Sequence, residues 1–314
     1  MRYLYILLSL SLIVFAPLYG QIDLSLSNIF DKNMMDYQIF WDIRVPRTLL
    51  AFVVGAILAI SGLVFQVIFR NPMSTPFTLG VASGATLFTA IAIVLGFASF
   101  ISLFAFVGAM LTIIMLFIIG SRIDAIETSS LLLVGIALSF FYSASLMVLF
   151  FVSDLKQSYE IVRFTMGSLD IVGYDSLYLV SIVAMFIITL VYKYKYHLKL
   201  LLTSYQFAQL KGIDVKKTNY ILLFGISVAV GVCVSIVGPI GFVGLIVPHI
   251  IKTIMRKSSD QLILPIFFYG GVFLVFCDML ARNIGTVSDV PIGVVTSFVG
   301  APFFIYLIMS RKKA

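Results

Sequence analysis

Leu49-Leu50-Ala51-Phe52-Val53-Val54-Gly55-Ala56-Ile57-Leu58-Ala59-Ile60-Ser61-Gly62-Leu63-Val64-Phe65-Gln66-Val67-Ile68-Phe69 runs without a single charge. A helix needs about 20 apolar residues to cross the roughly 30 Å hydrocarbon core of a bilayer, and this run supplies them. It does not alternate apolar with polar as a barrel strand would, so a helix is the form that satisfies its backbone groups internally. Ser102–Gly120 repeats the pattern, and the rest of the chain agrees. Hydrophobic residues make up 61% of the 314 and charged residues 11%, with mean hydropathy +1.13. Soluble domains carry about 25% charged residues, so the solvent here is lipid.

Divided at its charged and Gly/Pro-rich breaks, the chain gives ten candidate spans: 3–19, 48–69, 77–96, 101–120, 129–151, 176–192, 218–237, 240–255, 262–282 and 292–309. The expected fold is therefore all-α, one polytopic transmembrane domain over residues 1–314. The first segment, Tyr3–Pro17, is read as a span and not a cleaved signal, because Leu18-Tyr19-Gly20-Gln21 is no small-x-small cleavage site.

Charge sets the expected orientation, since Lys and Arg are retained on the cytoplasmic side during insertion. One set of alternate connections holds 15 of the 21 basic and 4 of the 14 acidic residues, with Arg2, Arg70 and the cluster Lys193, Lys195, Lys199, Lys211, Lys216, Lys217 among them. The other set holds six basic and ten acidic residues, so the nets are +11 and −4. This predicts an inner-membrane protein with both termini cytoplasmic. The overall +7 is then topology and not a nucleic-acid surface, because no basic stripe interleaves with exposed aromatics.

Several chemistries have no residues to carry them. No G-x-x-x-x-G-K-[ST] loop occurs, so any ATP is bound by another subunit. Asp278 is the one acid well inside a predicted span, and it lies four residues before Arg282, where an i,i+4 ion pair is the simplest reading. That disfavours a proton relay, which needs free ionisable groups within the helices. His197 and His249 are far apart and lack Cys or carboxylate neighbours at ligand spacing, and Cys233 and Cys277 read as small buried hydrophobes; no metal and no cofactor is expected. Gly80-Val81-Ala82-Ser83-Gly84 is a small-xxx-small face that packs helices and says nothing of function.

Three stretches are too polar or too broken for lipid-facing helix. Arg44-Val45-Pro46-Arg47 sets two arginines one turn apart at a helix start that Pro46 tolerates, a cationic edge that serves either headgroup anchoring or docking. Gly238-Pro239-Ile240-Gly241-Phe242-Val243-Gly244, followed by Pro248-His249, breaks one helix and restarts another. Leu200–Leu210, between lysines, reads as one short cytoplasmic helix ending near Gly212, lying on anionic lipid or seated in a partner's groove.

With Asn71-Pro72 followed by Leu79-Gly80-Val81, and Asp289-Val290-Pro291-Ile292-Gly293-Val294-Val295-Thr296 followed by Gly300-Ala301-Pro302, these stretches resemble, in order and spacing from about residue 40 onward, the FecCD-type permeases. These are subunits of type II ATP-binding-cassette importers for ferric siderophores, haem and vitamin B12. The resemblance implies a ten-helix permease without enzymatic activity, a second permease copy or paralogue, two cytoplasmic ATPases and an extracytoplasmic binding protein. It assigns binding-protein docking to outward-facing Arg44, Arg47 and Arg282. It assigns ATPase coupling to the stretch Ser204, Tyr205, Gln206, Phe207, Ala208, Gln209 and Gly212, the poorest match, since the family commonly has Gly-acid at Ser204-Tyr205. The inner gate falls on Asn71, Met73, Thr128 and Ser129, although Thr128 and Ser129 serve equally well as an N-cap. A ferric siderophore is the expected cargo by frequency within the family, with haem or cobalamin as alternatives. A proton-coupled carrier and a membrane-embedded enzyme are the rivals from other classes.

Overall fold

The structure, a computed structural model, describes residues 2–25, 27–121, 128–255, 258–285 and 289–311. In chain order the helices are α1 (Arg2–Phe15), α2 (Met35–Gln38), α3 (Val45–Ile68), α4 (Val81–Val94), α5 (Ile101–Ser121), α6 (Thr128–Val152), α7 (Leu155–Met166) and α8 (Asp175–Lys193). They continue with α9 (Lys195–Thr203), α10 (Tyr205–Leu210), α11 (Val215–Val237), α12 (Val243–Met255), α13 (Ser259–Ile284) and α14 (Ile292–Arg311). No strand occurs among the described residues. Every one of the ten spans expected from the sequence has its helix. Among the described residues, six helical runs are long and apolar enough to cross a membrane, and shorter apolar helices occupy the other four places.

The quoted stretch becomes α3, and it is the axis of the molecule. Its membrane-length run is 83% buried, against 11% for that of α6. Glycines are what allow this. A Cβ on Gly62 would sit 1.8 Å from the Gly244 carbonyl oxygen of α12, and one on Gly55 would sit 2.4 Å from the Gly270 carbonyl oxygen of α13. Hydrophobicity alone gives no preference among helices in lipid, so backbone-to-backbone approach through small residues supplies the packing. α6 keeps Leu133, Phe140, Met147 and Phe151 exposed, a surface for lipid or for another subunit.

Two prolines inside α3 and α12 show how the bundle treats freed carbonyls. Proline removes the N–H that would bond the carbonyl four residues back, and in a membrane that oxygen needs a substitute donor. Pro46 frees the Asp42 oxygen, which accepts from the Gly173 N–H at 2.8 Å. Pro248 frees the Gly244 oxygen, which accepts from Gln66 Nε2 at 3.2 Å. Gln66 Nε2 also reaches the Leu245 oxygen at 3.4 Å and Lys252 Nζ donates to Gln66 Oε1 at 3.2 Å, so a single α3 side chain bonds α12 three times.

Boundaries differ from expectation in three places, each for a local reason. The helical chain ahead of α3 begins at Met35 and passes through a π-helical segment, Ile39–Arg44, before Pro46. α4 starts at Val81 and not near 77, because the Thr78 hydroxyl donates to the Thr75 oxygen at 2.7 Å and Gly80 takes φ +80°. The expected single helix over Leu200–Leu210 is two: Ser204 is extended at φ −166° and ends α9, while its hydroxyl accepts the Phe207 N–H and starts α10.

Candidate functional site

Three features stand out along and beside α3. At its N-terminal end, Arg47 Nε bonds Asp278 Oδ1 of α13 at 2.9 Å, and Nη1 reaches Asp170 Oδ1 at 3.0 Å and also Asp289 Oδ2. Asp278 Oδ2 lies 2.9 Å from Arg282 Nη2, the i,i+4 pair read from the sequence. Arg44 turns away from this cluster and donates to the carbonyls of Pro17, Leu18 and Ile22, which closes the end of the N-terminal helical segment.

Arg44 and Arg47 were expected as a cationic edge, and the family resemblance placed them with Arg282 on the outward face. The structure turns them inward instead: Arg44, Arg47 and Arg282 are 6%, 7% and 4% exposed. The physical reason is the carboxylates and carbonyls that converge on them, since a guanidinium keeps its charge and can leave water only where such partners compensate it. Asp170 and Asp289 were not singled out as their partners. Asp289 lay in a quoted motif, and Asp170 carried no signal at all.

At the C-terminal end of α3 the arrangement is different. Arg70 adopts φ +49°, a left-handed conformation that costs a non-glycine residue about 1–3 kcal/mol unless its surroundings hold it. From there its Nε and Nη2 both donate to the Leu201 oxygen, at 3.1 and 3.0 Å, among the last carbonyls of α9. Its guanidinium also sits 4.4 Å from the centre of the Tyr205 ring. The Tyr205 hydroxyl donates to the Ile68 oxygen, the last residue of α3. Helix C-termini leave carbonyls without intrahelical donors, so the end of α3 is closed by Tyr205 of α10 and the end of α9 by Arg70, just beyond α3.

The expected gate and coupling residues flank this contact. Asn71 Oδ1 accepts the Met73 N–H at 2.9 Å and the Asn71 oxygen accepts the Ser74 N–H at 3.1 Å, an Asx turn that leaves Met73 exposed. Thr128 and Ser129 open α6, and their side chains lie outside the described residues. In α10, Ala208 is buried while Gln206, Phe207, Gln209 and Leu210 face out, and Gly212 closes the helix at φ +79° with its N–H on the Gln209 oxygen. Leu210, at 84% exposed, is a large apolar side chain with nothing of its own chain to cover it.

The third feature is an open groove of about 650 Å³ where the end of α7, the Pro239–Gly241 segment and α14 meet. Gly293 lets α14 close on α7, since a Cβ there would lie 2.4 Å from the Met166 oxygen. A Cβ on Gly241 would meet nothing within 4 Å, so that residue borders the opening. Phe298 and Pro302 form an apolar wall, and among the described residues no charged side chain lines the groove. Its two hydroxyls are engaged on their own helices: Thr165 on the Ile161 oxygen at 2.8 Å, Ser297 on the Gly293 oxygen at 2.7 Å. The groove offers shape and apolar surface, with no acid or base among the described residues that line it. Among the described residues no three His, Cys, Asp or Glu come together as a metal site would require.

Over residues 6–310 the sequence matches the profile of the FecCD transport family. The chain belongs to that family. Among FecCD relatives, it is 33% identical to the hemin transport system permease protein HmuU of Yersinia pestis, covering 94% of this chain and 90% of that one. It is 35% identical to the vitamin B12 import system permease protein BtuC of Vibrio cholerae, covering 98% and 93%. The fold matches a structure described as an inward-facing conformation of a metal-chelate type ABC transporter, with TM-score 0.88 and 27% identity over 99% of this chain and 100% of the other. The protein is thus a membrane-spanning ABC importer permease of the FecCD family, with the type II fold expected from its motifs.

Proposed function

We propose that this FecCD permease imports an iron chelate of the ferric siderophore class, received from an extracytoplasmic binding protein and released into the cytoplasm. The observation that carries the reading is the groove beside α14. A large ligand whose charges are already satisfied by its own chelate needs a wide apolar passage and few polar contacts, and the groove offers that kind of surface. A second permease subunit, identical or paralogous, closes the open side.

Orientation follows the lysine and arginine excess: both termini, α9 and α10 are cytoplasmic, and the Arg47 end is extracytoplasmic. Two partner ATPases bind nucleotide and dock on α10, where Phe207 and Leu210 stand exposed for a groove to accept. Asn71 and Met73, with Thr128 and Ser129, narrow the inner end of the passage. The face around Arg44, Arg47 and Arg282 receives the binding protein. In the resting chain the three arginines hold that face in shape, and its charge pattern sets the docking register. The permease itself performs no covalent chemistry and carries no cofactor.

The test is uptake of radiolabelled ferric siderophore, haem and cobalamin into cells with and without the gene, with the ATPase intact or disabled. Loss of ferric siderophore uptake alone, matched by loss of the ATPase, is expected. Haem and cobalamin each have an observation in their favour, the likeness to a hemin permease and to a vitamin B12 permease, and selective loss of either uptake would move the cargo there. Uptake that survives ATPase loss and collapses with an uncoupler would overturn the ATP-driven reading.

A further inference from the structure

The contact between Arg70 and Tyr205 ties together two segments that have separate expected duties. Arg70 is covalently adjacent to Asn71, the first residue of the exposed turn that presents Met73. Tyr205 is the first residue of α10. α10 is closed at both ends, by the Ser204 hydroxyl on the Phe207 N–H and by the Ile213 N–H on the Ala208 oxygen, so it moves as one unit. Any displacement of α10 shifts the Tyr205 ring and hydroxyl, and with them the guanidinium stacked on the ring.

We propose that Arg70 and Tyr205 form one clamp that transmits movement of α10 to the turn at Asn71–Met73, making them positioning residues for ATP-driven opening. The proposal rests on the reading of α10 as the ATPase contact. Three features favour transmission over simple packing. The bonds cross in both directions, Tyr205 to the end of α3 and Arg70 to the end of α9, so neither element shifts alone. Arg70 is held in a left-handed conformation, so release of its guanidinium lets its backbone, and the turn that follows, relax. The clamp is made of hydrogen bonds and a ring contact near the surface and not of buried ion pairs, so it rearranges at small energetic cost.

The experiment uses the complete importer, permease with its ATPase and binding protein, in proteoliposomes, and reads ligand imported per ATP hydrolysed. Tyr205→Phe removes one hydroxyl and keeps the ring. Its ratio of ligand imported to ATP hydrolysed is expected to fall at least about three-fold below that of the wild type. Arg70→Gln is expected to behave likewise, and the double variant to be no worse than the poorer single, as for two parts of one unit. Tyr196→Phe, an exposed tyrosine on α9, is the control that leaves the ratio unchanged. An unchanged ratio in Tyr205→Phe, loss of ATPase co-purification in place of loss of coupling, or fully additive losses in the double variant would each overturn the clamp. A wild-type importer that moves none of the three ligands with ATP removes the importer reading, and the clamp with it. A transporting wild type with an unaffected Tyr205→Phe removes the clamp alone.

Discussion

The two ends of α3 are held in contrasting ways. At the Arg47 end, charge meets charge out of water: Asp278 is fully buried between Arg47 and Arg282. At the Arg70 end, an exposed arginine meets a carbonyl and an aromatic ring, and a tyrosine closes the helix terminus. The difference is one of cost on separation. Parting a buried ion pair leaves a charge in low dielectric, whereas parting a hydrogen bond near water returns both groups to solvent. One end of the axis is therefore fixed, and the other is free to rearrange within the working energies of a transport cycle.

Asp278→Ala tests the fixed end most severely. It leaves Arg47 and Arg282 facing each other without the carboxylate that both share, and a loss of about 3–5 kcal/mol is expected. Unfolding of the purified protein in detergent measures it, and a loss no larger than that of Tyr205→Phe would abolish the contrast between the ends. Next in size is Gly62→Ala near mid-axis. Its new methyl group would meet the Gly244 oxygen at 1.8 Å, so α3 and α12 must part, with an expected loss of about 1–3 kcal/mol in the same assay. Gln66→Leu follows, at the lower end of about 1–3 kcal/mol, because it strips the donor from the oxygen that Pro248 leaves unpaired. Hydrogen exchange should then quicken in α12 and not in α13. Equal quickening in both would mean that α3 behaves as one rigid body with no graded ends.

How much of this was legible beforehand depends on distance along the chain. Lipid makes hydropathy the dominant signal, so the ten apolar segments of 3–309 announced their helices without help from tertiary contacts. Ends moved where polar side chains took over locally, at Thr75–Thr78 and at Ser204, whose hydroxyls compete for backbone groups. The ordered motifs pointed to Arg44, Arg47 and Arg282, but not to the direction those side chains face. Arg47 finds Asp170 and Asp289 at separations of 123 and 242 residues, and no periodicity encodes a pairing of that range. The Arg70–Tyr205 contact escaped for the same reason, with the added obstacle that a left-handed arginine has no composition signal.

The smallest effect is expected from Arg163→Gln, and it isolates burial as the cause of the contrast. Asp170 serves two arginines at once: Arg47, whose side chain is 9% exposed, at 3.0 Å, and Arg163, whose side chain is 61% exposed, at 3.4 Å. The carboxylate is shared and the donors are chemically identical, so any difference in what each pair contributes comes from the surroundings. Water and salt screen the outer pair, and its removal should cost less than about 0.5 kcal/mol. That loss should disappear at 1 M salt, where the screening length falls to about 3 Å. Asp170→Asn removes both ion pairs, and in 1 M salt it should retain part of its larger loss, because Arg47 is buried even though the Asp170 side chain is 43% exposed. If the Asp170→Asn loss vanished in salt along with that of Arg163→Gln, the Arg47 end would be an ordinary wetted surface, and burial would no longer account for its rigidity.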